Sequence, residues 1–218
     1  MRKLYIFLFA AVCSSGLSLG AKADSLCDNT PHNLVTNCGF ETGDFTGWTL
    51  TGNDVPTELN ILYGVEQGVD PISSIAPNSG SFQAYVADID ANALTLSQDL
   101  NLTGPYDYYT VSFYLAQFTD PSIGGGSYSN ELNVSFGATT FISDTAIANQ
   151  GYTKYSFIAL DTVPTATLSI TLGNDLGEFQ LDDVSVVSTP EPAAWFLLVT
   201  AGALCAFAAK RSHRKAEV

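Results

Sequence analysis

The segment that decides the fold lies in the middle of the chain and reads Val111-Ser112-Phe113-Tyr114-Leu115-Ala116. Large apolar side chains occupy every second position, which is the period of a β-strand with one buried face. The same alternation recurs in residues 132–136 and 168–172. These three segments therefore predict strands of a half-buried sheet.

Further strand-like runs, rich in Thr, Val, Tyr and Phe, are residues 82–87, 94–100, 153–160 and 179–187. Turn signals separate the runs at Pro77-Asn78-Ser79-Gly80, Thr103-Gly104-Pro105, Gly124-Gly125-Gly126 and Gly173-Asn174-Asp175. Residues 54–76 are weakly patterned, and we expect a loop with one strand near residues 59–63. Many short strands without a convincing helical period predict an all-β fold, a β-sandwich of the jelly-roll type.

The N-terminus has the features of a secretory signal peptide. Arg2 and Lys3 precede an apolar run over residues 4–19, and Ala21-Lys22-Ala23 matches a small-residue cleavage site. We therefore expect residues 1–23 to form a signal helix that is removed, leaving Asp24 as the first residue of the exported chain.

The C-terminus has the features of a membrane anchor. Pro190-Glu191-Pro192 is followed by an uncharged apolar run over residues 193–209 and a basic tail over residues 210–218. An apolar run of this length predicts a transmembrane helix, and the Lys/Arg cluster predicts a cytoplasmic C-terminus. The alternative is a buried core helix. The predicted organisation is a sandwich over 24–184 and a linker over 185–192, with the helix and tail after them.

The region between these ends is strongly acidic. Residues 24–189 contain twenty Asp and Glu and a single cationic residue of the Lys/Arg type, Lys154, which gives a net charge of −19. Such a domain is repelled by nucleic acid and by anionic membrane surfaces, so neither is an expected partner. It suits divalent cations, neutral glycans or basic partners. Solubility at a cell surface is the alternative explanation of the charge.

Two cysteines, Cys27 and Cys38, lie in the region predicted to be exported. In an oxidising compartment they are expected to form a disulfide. Closing this short loop contributes about 2–3 kcal/mol to the free energy of unfolding.

The two ends of the chain together resemble the PEP-CTERM class of bacterial surface proteins. Members of that class pair a secretion signal with a Pro-Glu-Pro motif, one helix and a basic tail, which here cover residues 190–215, with Ser212 and His213 interrupting the basic cluster. The resemblance implies recognition by an exosortase, a membrane sorting enzyme. It also implies an inner-membrane anchor before sorting, and then a place at the cell surface or in an exopolysaccharide matrix.

The predicted sandwich resembles jelly-roll carbohydrate-binding modules. The carrying segments are the opening Asn33-Leu34-Val35-Thr36-Asn37-Cys38-Gly39-Phe40-Glu41, then Gly47-Trp48, then Ser79-Gly80-Ser81-Phe82-Gln83-Ala84, and the closing run over residues 179–186. Cys38 stands where these modules usually have glycine, which agrees with the expected disulfide. The resemblance implies a glycan-binding or scaffolding domain.

In the modules that this sequence resembles, an opening Glu and a closing Asp help to bind a structural Ca²⁺. By position these are Glu41 and Asp182, with Asp183 as the substitute. The apolar parity of the closing run also switches at Asp182 and Asp183, which indicates a β-bulge, and bulges often lie beside sites. Oxygen ligands in an acidic domain favour Ca²⁺. The alternative is a pair of solvated acids at a strand end.

Glycan binding requires exposed aromatic faces with hydrogen-bonding neighbours. The candidate aromatic residues are Tyr106, Tyr108, Tyr109, Tyr114, Phe118 and Tyr128, flanked by Gln117, Asn130 and Asn133. The alternative for each tyrosine is ordinary packing on a sheet with a wet hydroxyl. Trp48 follows the Gly47 turn and is expected to anchor the core.

Little in the sequence indicates catalysis. His32 is the single histidine of the predicted sandwich and lies near its N-terminal edge, so no triad is expected. The favoured function is therefore a non-catalytic surface or matrix protein that binds glycan or scaffolds exopolysaccharide. The alternatives are a structural matrix protein without a specific ligand and a glycoside hydrolase that uses a carboxylate pair.

Overall fold

The computed structural model describes residues 24–52, 61–88, 93–102, 107–119, 130–161, 163–174 and 177–189. Within these ranges the chain forms strands and turns, and no helix is long and apolar enough to cross a membrane. The predicted signal peptide, sorting motif, transmembrane helix and basic tail lie outside the described residues.

Ten strands follow one another along the described chain: β1 Thr49–Gly52, β2 Ile61–Gln67, β3 Phe82–Asp88, β4 Leu94–Asn101, β5 Asp107–Thr119, β6 Asn130–Phe136, β7 Thr139–Asp144, β8 Gln150–Asp161, β9 Thr165–Asn174 and β10 Gly177–Thr189. They form two five-stranded sheets, β1-β4-β9-β6-β7 and β2-β3-β10-β5-β8, which we call sheet A and sheet B. The paired strands are antiparallel in both sheets. The predicted all-β sandwich is confirmed.

The hydrophobic core lies between the sheets and follows the period-two pattern. On β5 the residues Val111, Phe113 and Leu115 are fully buried in it. Alternate residues of β4, β6 and β9 meet them from sheet A, and the ring of Tyr109 lies 5.8 Å from that of Phe136. The other face of β5 therefore forms the outer face of sheet B, turned away from the core.

The predicted bulge in the closing strand is confirmed. The register of β10 against β5 shifts between Asp182 and Ser185, and Asp183 has a positive φ of 52°. Because of the shift, Leu181 before it and Val184 after it both lie in the core. The extra residue thus keeps both halves of one strand apolar towards sheet A.

The predicted start of the linker at residue 185 is wrong. Strand β10 continues to Thr189, which pairs with Tyr108 at the far end of β5. Val186 is fully buried on this extension. The strand continues because the long β5 offers it a backbone partner along its whole length.

Two other strands differ from the sequence-based expectation. The strand expected near residues 59–63 is β2, which runs from Ile61 to Gln67. Strand β7 was not predicted; it pairs only with β6 at an edge of sheet A, and its residues are exposed or half-buried. An edge strand of this kind shows no alternation of buried and exposed positions, so the pattern does not reveal it.

The N-terminal segment packs against the ends of both sheets. Cys27 and Cys38 form the expected disulfide. Trp48 is a core residue, as expected, and its ring stacks on Phe40 at 5.8 Å. The buried side chain of Gln98 on β4 accepts a hydrogen bond from the backbone of Thr36 and donates to its carbonyl. The opening segment is thereby fixed before the first strand begins.

Candidate functional site

Three of the four segments that resemble carbohydrate-binding modules, the opening segment, residues 79–84 and the closing run, meet at one point of the fold. Glu41 from the opening segment is buried, and its Oε1 accepts hydrogen bonds from the backbone N–H groups of Ser81 at 2.7 Å and Phe82 at 3.1 Å. The opening segment therefore binds the first residues of β3 through a carboxylate. We call Glu41, Asp182 and Asp183 the junction acids.

Asp182 and Asp183 bind the same turn from the other side. Asp182 Oδ2 accepts from the backbone N–H of Ser79 at 3.1 Å, and Asp183 Oδ2 accepts from Nδ2 of Asn78 at 2.8 Å. Asp183 Oδ1 also accepts from the backbone N–H of Cys27 at 3.1 Å and from the Ser79 hydroxyl at 2.8 Å. The bulge is what directs both carboxylates to this turn.

Gly39 and Asn37 allow the opening segment to pack closely against its neighbours. A Cβ at Gly39 would lie 2.4 Å from Cβ of Ser25, so only glycine fits there. Asn37 has a positive φ of 50°, and its Oδ1 accepts from the backbone N–H of Thr42. The residues of the opening motif therefore set the path of the backbone, and this path determines the position of Glu41.

The electrostatics differ between the two adjacent aspartates. Burial and the neighbouring charge of Asp183 raise the pKa of Asp182 to about 8, against the lowering effect of hydrogen bonds from nearby backbone N–H groups. Asp183 accepts instead from the side chains of Asn78 and Ser79 and from the backbone N–H of Cys27. The negative charge of Asp182 is therefore not fully compensated by its hydrogen bonds, which makes Asp182 a candidate for a cation ligand.

The structure brings the predicted calcium ligands around one turn but does not draw all three together. Within the described residues, Glu41, Asp182 and Asp183 are not among the groups whose ligand atoms lie within 4.8 Å of one another. Their donor set is oxygen alone, which is the chemistry that Ca²⁺ prefers. The calcium site remains a prediction.

The candidate tyrosines of β5 lie on different faces of sheet B. Tyr108 is 42% exposed and Tyr114 is half-buried, and both belong to the outer face of β5. Tyr109 lies one residue from Tyr108 and is fully buried in the core, so its expected place on a glycan surface is wrong. Strand alternation is the reason. Tyr106 and Tyr128 lie outside the described residues.

The β5–β8 part of this outer face is open and apolar. Tyr108 pairs with Leu160, and Thr110 pairs with Ile158, which is 68% exposed. Further along, the ammonium of Lys154 lies 5.8 Å from the centre of the Tyr114 ring. Exposed apolar side chains gathered on one face are a candidate interaction surface. Two of the expected flanking amides, Gln117 and Asn130, are buried and therefore are not exposed on this surface.

The β2–β3–β10 part of the same face is covered and acidic. Residues 68–81 lie over it, since Gln83 Nε2 donates to the carbonyl of Ile75 and Gln180 Nε2 donates to Ser73 Oγ. The Tyr152 hydroxyl reaches it from β8 and donates to Gln83 Oε1 at 2.7 Å. Three carboxylates meet where this segment lies over the sheet, Glu66 and Glu178 from the sheet and Asp70 from the segment, and we call them the outer-face acids.

The outer-face acids were not predicted. Burial raises the pKa of Glu66 to about 7 and that of Glu178 to about 7, and the charge of Asp70 adds to both shifts. One signal for them exists in the sequence. Glu178, Gln180 and Asp182 alternate with Phe179 and Leu181, so a polar stripe occupies the second face of the closing strand.

The fold is similar to solved carbohydrate-binding modules. One is a carbohydrate-binding module in complex with β-1,4-galactotriose, with a TM-score of 0.52, 18% identity, and coverage of 72% of this chain and 99% of that one. The fold is also similar to that of a protein of another kind, the enzymatically active domain of tailspike protein 4 of bacteriophage CBA120, with a TM-score of 0.51, 14% identity, and coverage of 72% of this chain but 21% of that one. A family 16 carbohydrate-binding module has a TM-score of 0.42 at 13% identity, with coverage of 71% and 99%.

At these identities the likeness concerns the fold, which is the jelly-roll sandwich of carbohydrate-binding modules. This chain spans about a fifth of the tailspike chain, so that similarity concerns one part of a larger protein. No protein-family model matches the sequence, and no curated protein matches it.

Proposed function

We propose that this chain is an exported, non-catalytic surface or matrix protein whose sandwich binds a neutral glycan on the open part of the outer face of sheet B. The observation that carries the proposal is the group of exposed apolar side chains, Tyr108, Ile158 and Leu160, on neighbouring strands. Sugar rings present apolar C–H faces to such surfaces, and their hydroxyls need polar neighbours. The similarity of the fold to a module solved in complex with β-1,4-galactotriose also supports glycan binding.

The charge of the domain supports a neutral ligand. With twenty acids and Lys154 as its one Lys or Arg, it repels acidic polymers, so a neutral polysaccharide fits better than an acidic one. Tyr108 and Tyr114 stand six residues apart on one face of β5, which separates them by roughly 20 Å. A surface of that length suits a glycan chain of several units better than a single sugar.

Binding of the full chain to a glycan array that includes β-1,4-galacto-oligosaccharides tests this proposal. We expect Tyr108→Ala and Leu160→Ala each to weaken binding of the best glycan by about tenfold, or about 1.4 kcal/mol. Ile72→Ala is the matched control, because Ile72 is also a large exposed apolar residue but lies in residues 68–81. Equal affinity of all three variants would contradict the proposed surface.

We also propose that Glu41 and Asp182 hold a structural Ca²⁺ at the junction of the three motifs. The support is their burial, their all-oxygen chemistry and the incompletely compensated charge of Asp182. We expect Ca²⁺ to raise the melting temperature of the full chain relative to chelator, and Asp182→Asn to reduce that rise. A melting temperature that is the same with Ca²⁺ and with chelator would exclude this ion.

The proposed route to the cell surface is sorting by an exosortase-type enzyme at Pro190-Glu191-Pro192, after export by the signal peptide and insertion of residues 193–209 in the inner membrane. The sequence pattern is its support. We expect a shortened product when the full chain is expressed with such an enzyme, and its loss in Glu191→Ala. A product of unchanged length in the presence of the enzyme would contradict sorting.

A further inference from the structure

The outer-face acids form a compact group of carboxylates, in which Asp70 and Glu178 are buried and Glu66 is half-buried. Glu66 lies on β2, Asp70 follows that strand, and Glu178 lies on β10, so the group joins three parts of the chain. One ligand oxygen of each lies within 4.8 Å of the others. Glu178 is 2% exposed and Asp70 is 3% exposed. Three carboxylates at this separation repel one another strongly away from water.

Neutral groups hold these carboxylates in place. Gln83 Nε2 donates to Glu66 Oε1 at 2.7 Å, and the backbone N–H groups of Ile72 and Ser73 donate to Asp70 Oδ1. Lys154, the one Lys or Arg of residues 24–189, lies against the Tyr114 ring instead. Within the described part of the chain, the group is therefore positioned by hydrogen bonds but not neutralised by a Lys or Arg side chain.

A second observation comes from the amide of Gln180. This residue is fully buried on the same face of β10 as Glu178. Its Nε2 donates to Glu178 Oε1 at 2.8 Å and to Ser73 Oγ at 2.8 Å, whereas no donor among the described residues reaches its Oε1. Buried acceptors without a partner are rare in native proteins. An amide oxygen in this state, on an amide that contacts the acidic group, indicates a positively charged ligand there.

We propose that Glu66, Asp70 and Glu178, together with the amide oxygen of Gln180, form a binding site for a hard divalent cation, Ca²⁺. Three carboxylates and one amide oxygen are the donor types that Ca²⁺ takes, and nothing in the group suits a softer metal. The ion would compensate the charge of the carboxylates and supply the missing partner of Gln180 Oε1. This site is separate from the junction acids, since it uses none of them.

The position of the site gives it a structural consequence. Asp70 belongs to residues 68–81, while Glu66 and Glu178 belong to strands of sheet B. A cation shared by them would fasten this covering segment to the sheet. The same segment supplies Asn78 and Ser79 to the junction acids. The ion would therefore hold one end of a segment whose other end is held at the junction.

Calorimetric titration of CaCl₂ into the full chain, purified in detergent and freed of metal with chelator, tests the proposal. We expect Glu178→Gln and Glu66→Gln each to weaken the binding of one Ca²⁺ by at least about tenfold, because each removes a charged ligand while keeping its shape. Glu131→Gln is the matched control, since it makes the same change on β6 of sheet A. It should bind Ca²⁺ as the unaltered chain does.

Asp182→Asn, titrated in parallel, separates this site from the proposed junction ion. Loss of one Ca²⁺ in the two Glu→Gln variants with binding retained in Asp182→Asn supports the outer-face site, whatever happens at the junction. Unchanged Ca²⁺ number and affinity in both Glu66→Gln and Glu178→Gln would overturn it, even if Asp182→Asn lost an ion. Absence of any Ca²⁺ binding by the unaltered chain would overturn both proposals.

Discussion

The junction acids and the outer-face acids are two groups of three carboxylates in one small domain, and they are stabilised differently. Glu41 and Asp182 accept hydrogen bonds from backbone N–H groups of residues 79–82, and Asp183 accepts from the backbone of Cys27 and from the side chains of Asn78 and Ser79. Glu66 and Glu178 accept from the side-chain amides of two glutamines. The junction acids therefore connect distant segments of backbone, whereas the outer-face acids crowd negative charge on one face of a sheet.

The difference in hydrogen-bond partners explains why the sequence revealed one group of acids and not the other. A carboxylate that binds backbone N–H groups requires a particular local chain path, with residues such as Gly39 and Asn37 beside it, and these leave a motif. A carboxylate that lies beside other side chains on a sheet requires only the pairing of strands. The junction was visible as three loose motifs, and the outer-face acids were not visible as a motif at all.

The largest effect on stability is expected at Asp183, one of the junction acids. Asp183→Ala leaves the buried N–H of Cys27 and the side chains of Asn78 and Ser79 without their acceptor. We expect the free energy of unfolding to fall by about 3 kcal/mol, measured by urea denaturation. Asp99→Ala, at an exposed acid on β4, is the control and should change stability by less than about 0.5 kcal/mol. A small effect at Asp183 would show that the junction bonds are not structural.

The covalent support of the junction gives the next largest effect. The disulfide between Cys27 and Cys38 closes a short loop whose backbone contacts Asp183 and Val184. We expect the double change Cys27→Ser and Cys38→Ser to lower the free energy of unfolding by about 2–3 kcal/mol. The loss should shrink when Asp183→Ala is already present, because both changes loosen the same segment. A double-mutant cycle measures this coupling, and strictly additive losses would contradict it.

The pH dependence of stability sharpens the comparison, because the outer-face acids bind protons more tightly in the folded state. For Glu178 the pKa rises from 4.5 to about 7 on folding, so its stabilising contribution is complete below pH 4.5 and disappears as the pH rises through about 7. With chelator present, we expect about 2 kcal/mol less stability at pH 8 than at pH 5 from this residue, after discounting for solvent screening.

Urea denaturation across this pH range provides the measurement. Glu178→Gln should remove the fall in stability that this residue causes between pH 4.5 and 7. Asp182→Asn should remove a fall that extends to about pH 8, because burial raises the pKa of Asp182 to about 8. Stability that rises steadily from pH 5 to pH 8 in chelator would contradict the raised pKa values of both groups.

The smallest expected effect has the opposite sign to that at Asp183. In chelator at pH 8, Glu178→Gln should stabilise the chain by about 1 kcal/mol, because it removes a buried charge and keeps an oxygen for Gln180 Nε2. Thermal melting detects this gain, and Glu131→Gln should show none. A clear loss of stability in Glu178→Gln would mean that the outer-face acids resemble the junction acids after all.

Much of the fold follows from short-range pattern. The runs that became β5, β6 and β9 were recognised from alternation, those that became β3, β4, β8 and β10 from their composition, and the bulge from its change of parity at Asp182. The disulfide followed from two cysteines in an exported context. The exposed edge strand β7 was missed, and so was the continuation of β10 beyond residue 185, because pairing with a neighbour and not the local sequence extends a strand.

The candidate surfaces were only partly predictable for the same reason. Alternation assigns Tyr108 and Tyr109 to opposite faces of β5, but the sequence does not say which face meets the other sheet. It also does not reveal that residues 68–81 cover one half of the outer face and leave the half with Leu160 open.

By itself, the sequence determined the all-β class, the disulfide, the bulge and the motifs that contain the junction acids, because each of these depends on residues close together in the chain. The tertiary structure alone decided that Glu66, Asp70 and Glu178 lie within 4.8 Å and that Tyr108 meets Leu160 on an open face. The physical reason is that strand order brings together residues that lie far apart in the chain, such as Tyr108 and Leu160 or Glu66 and Glu178. Hydrophobic burial determines that order for the whole chain at once.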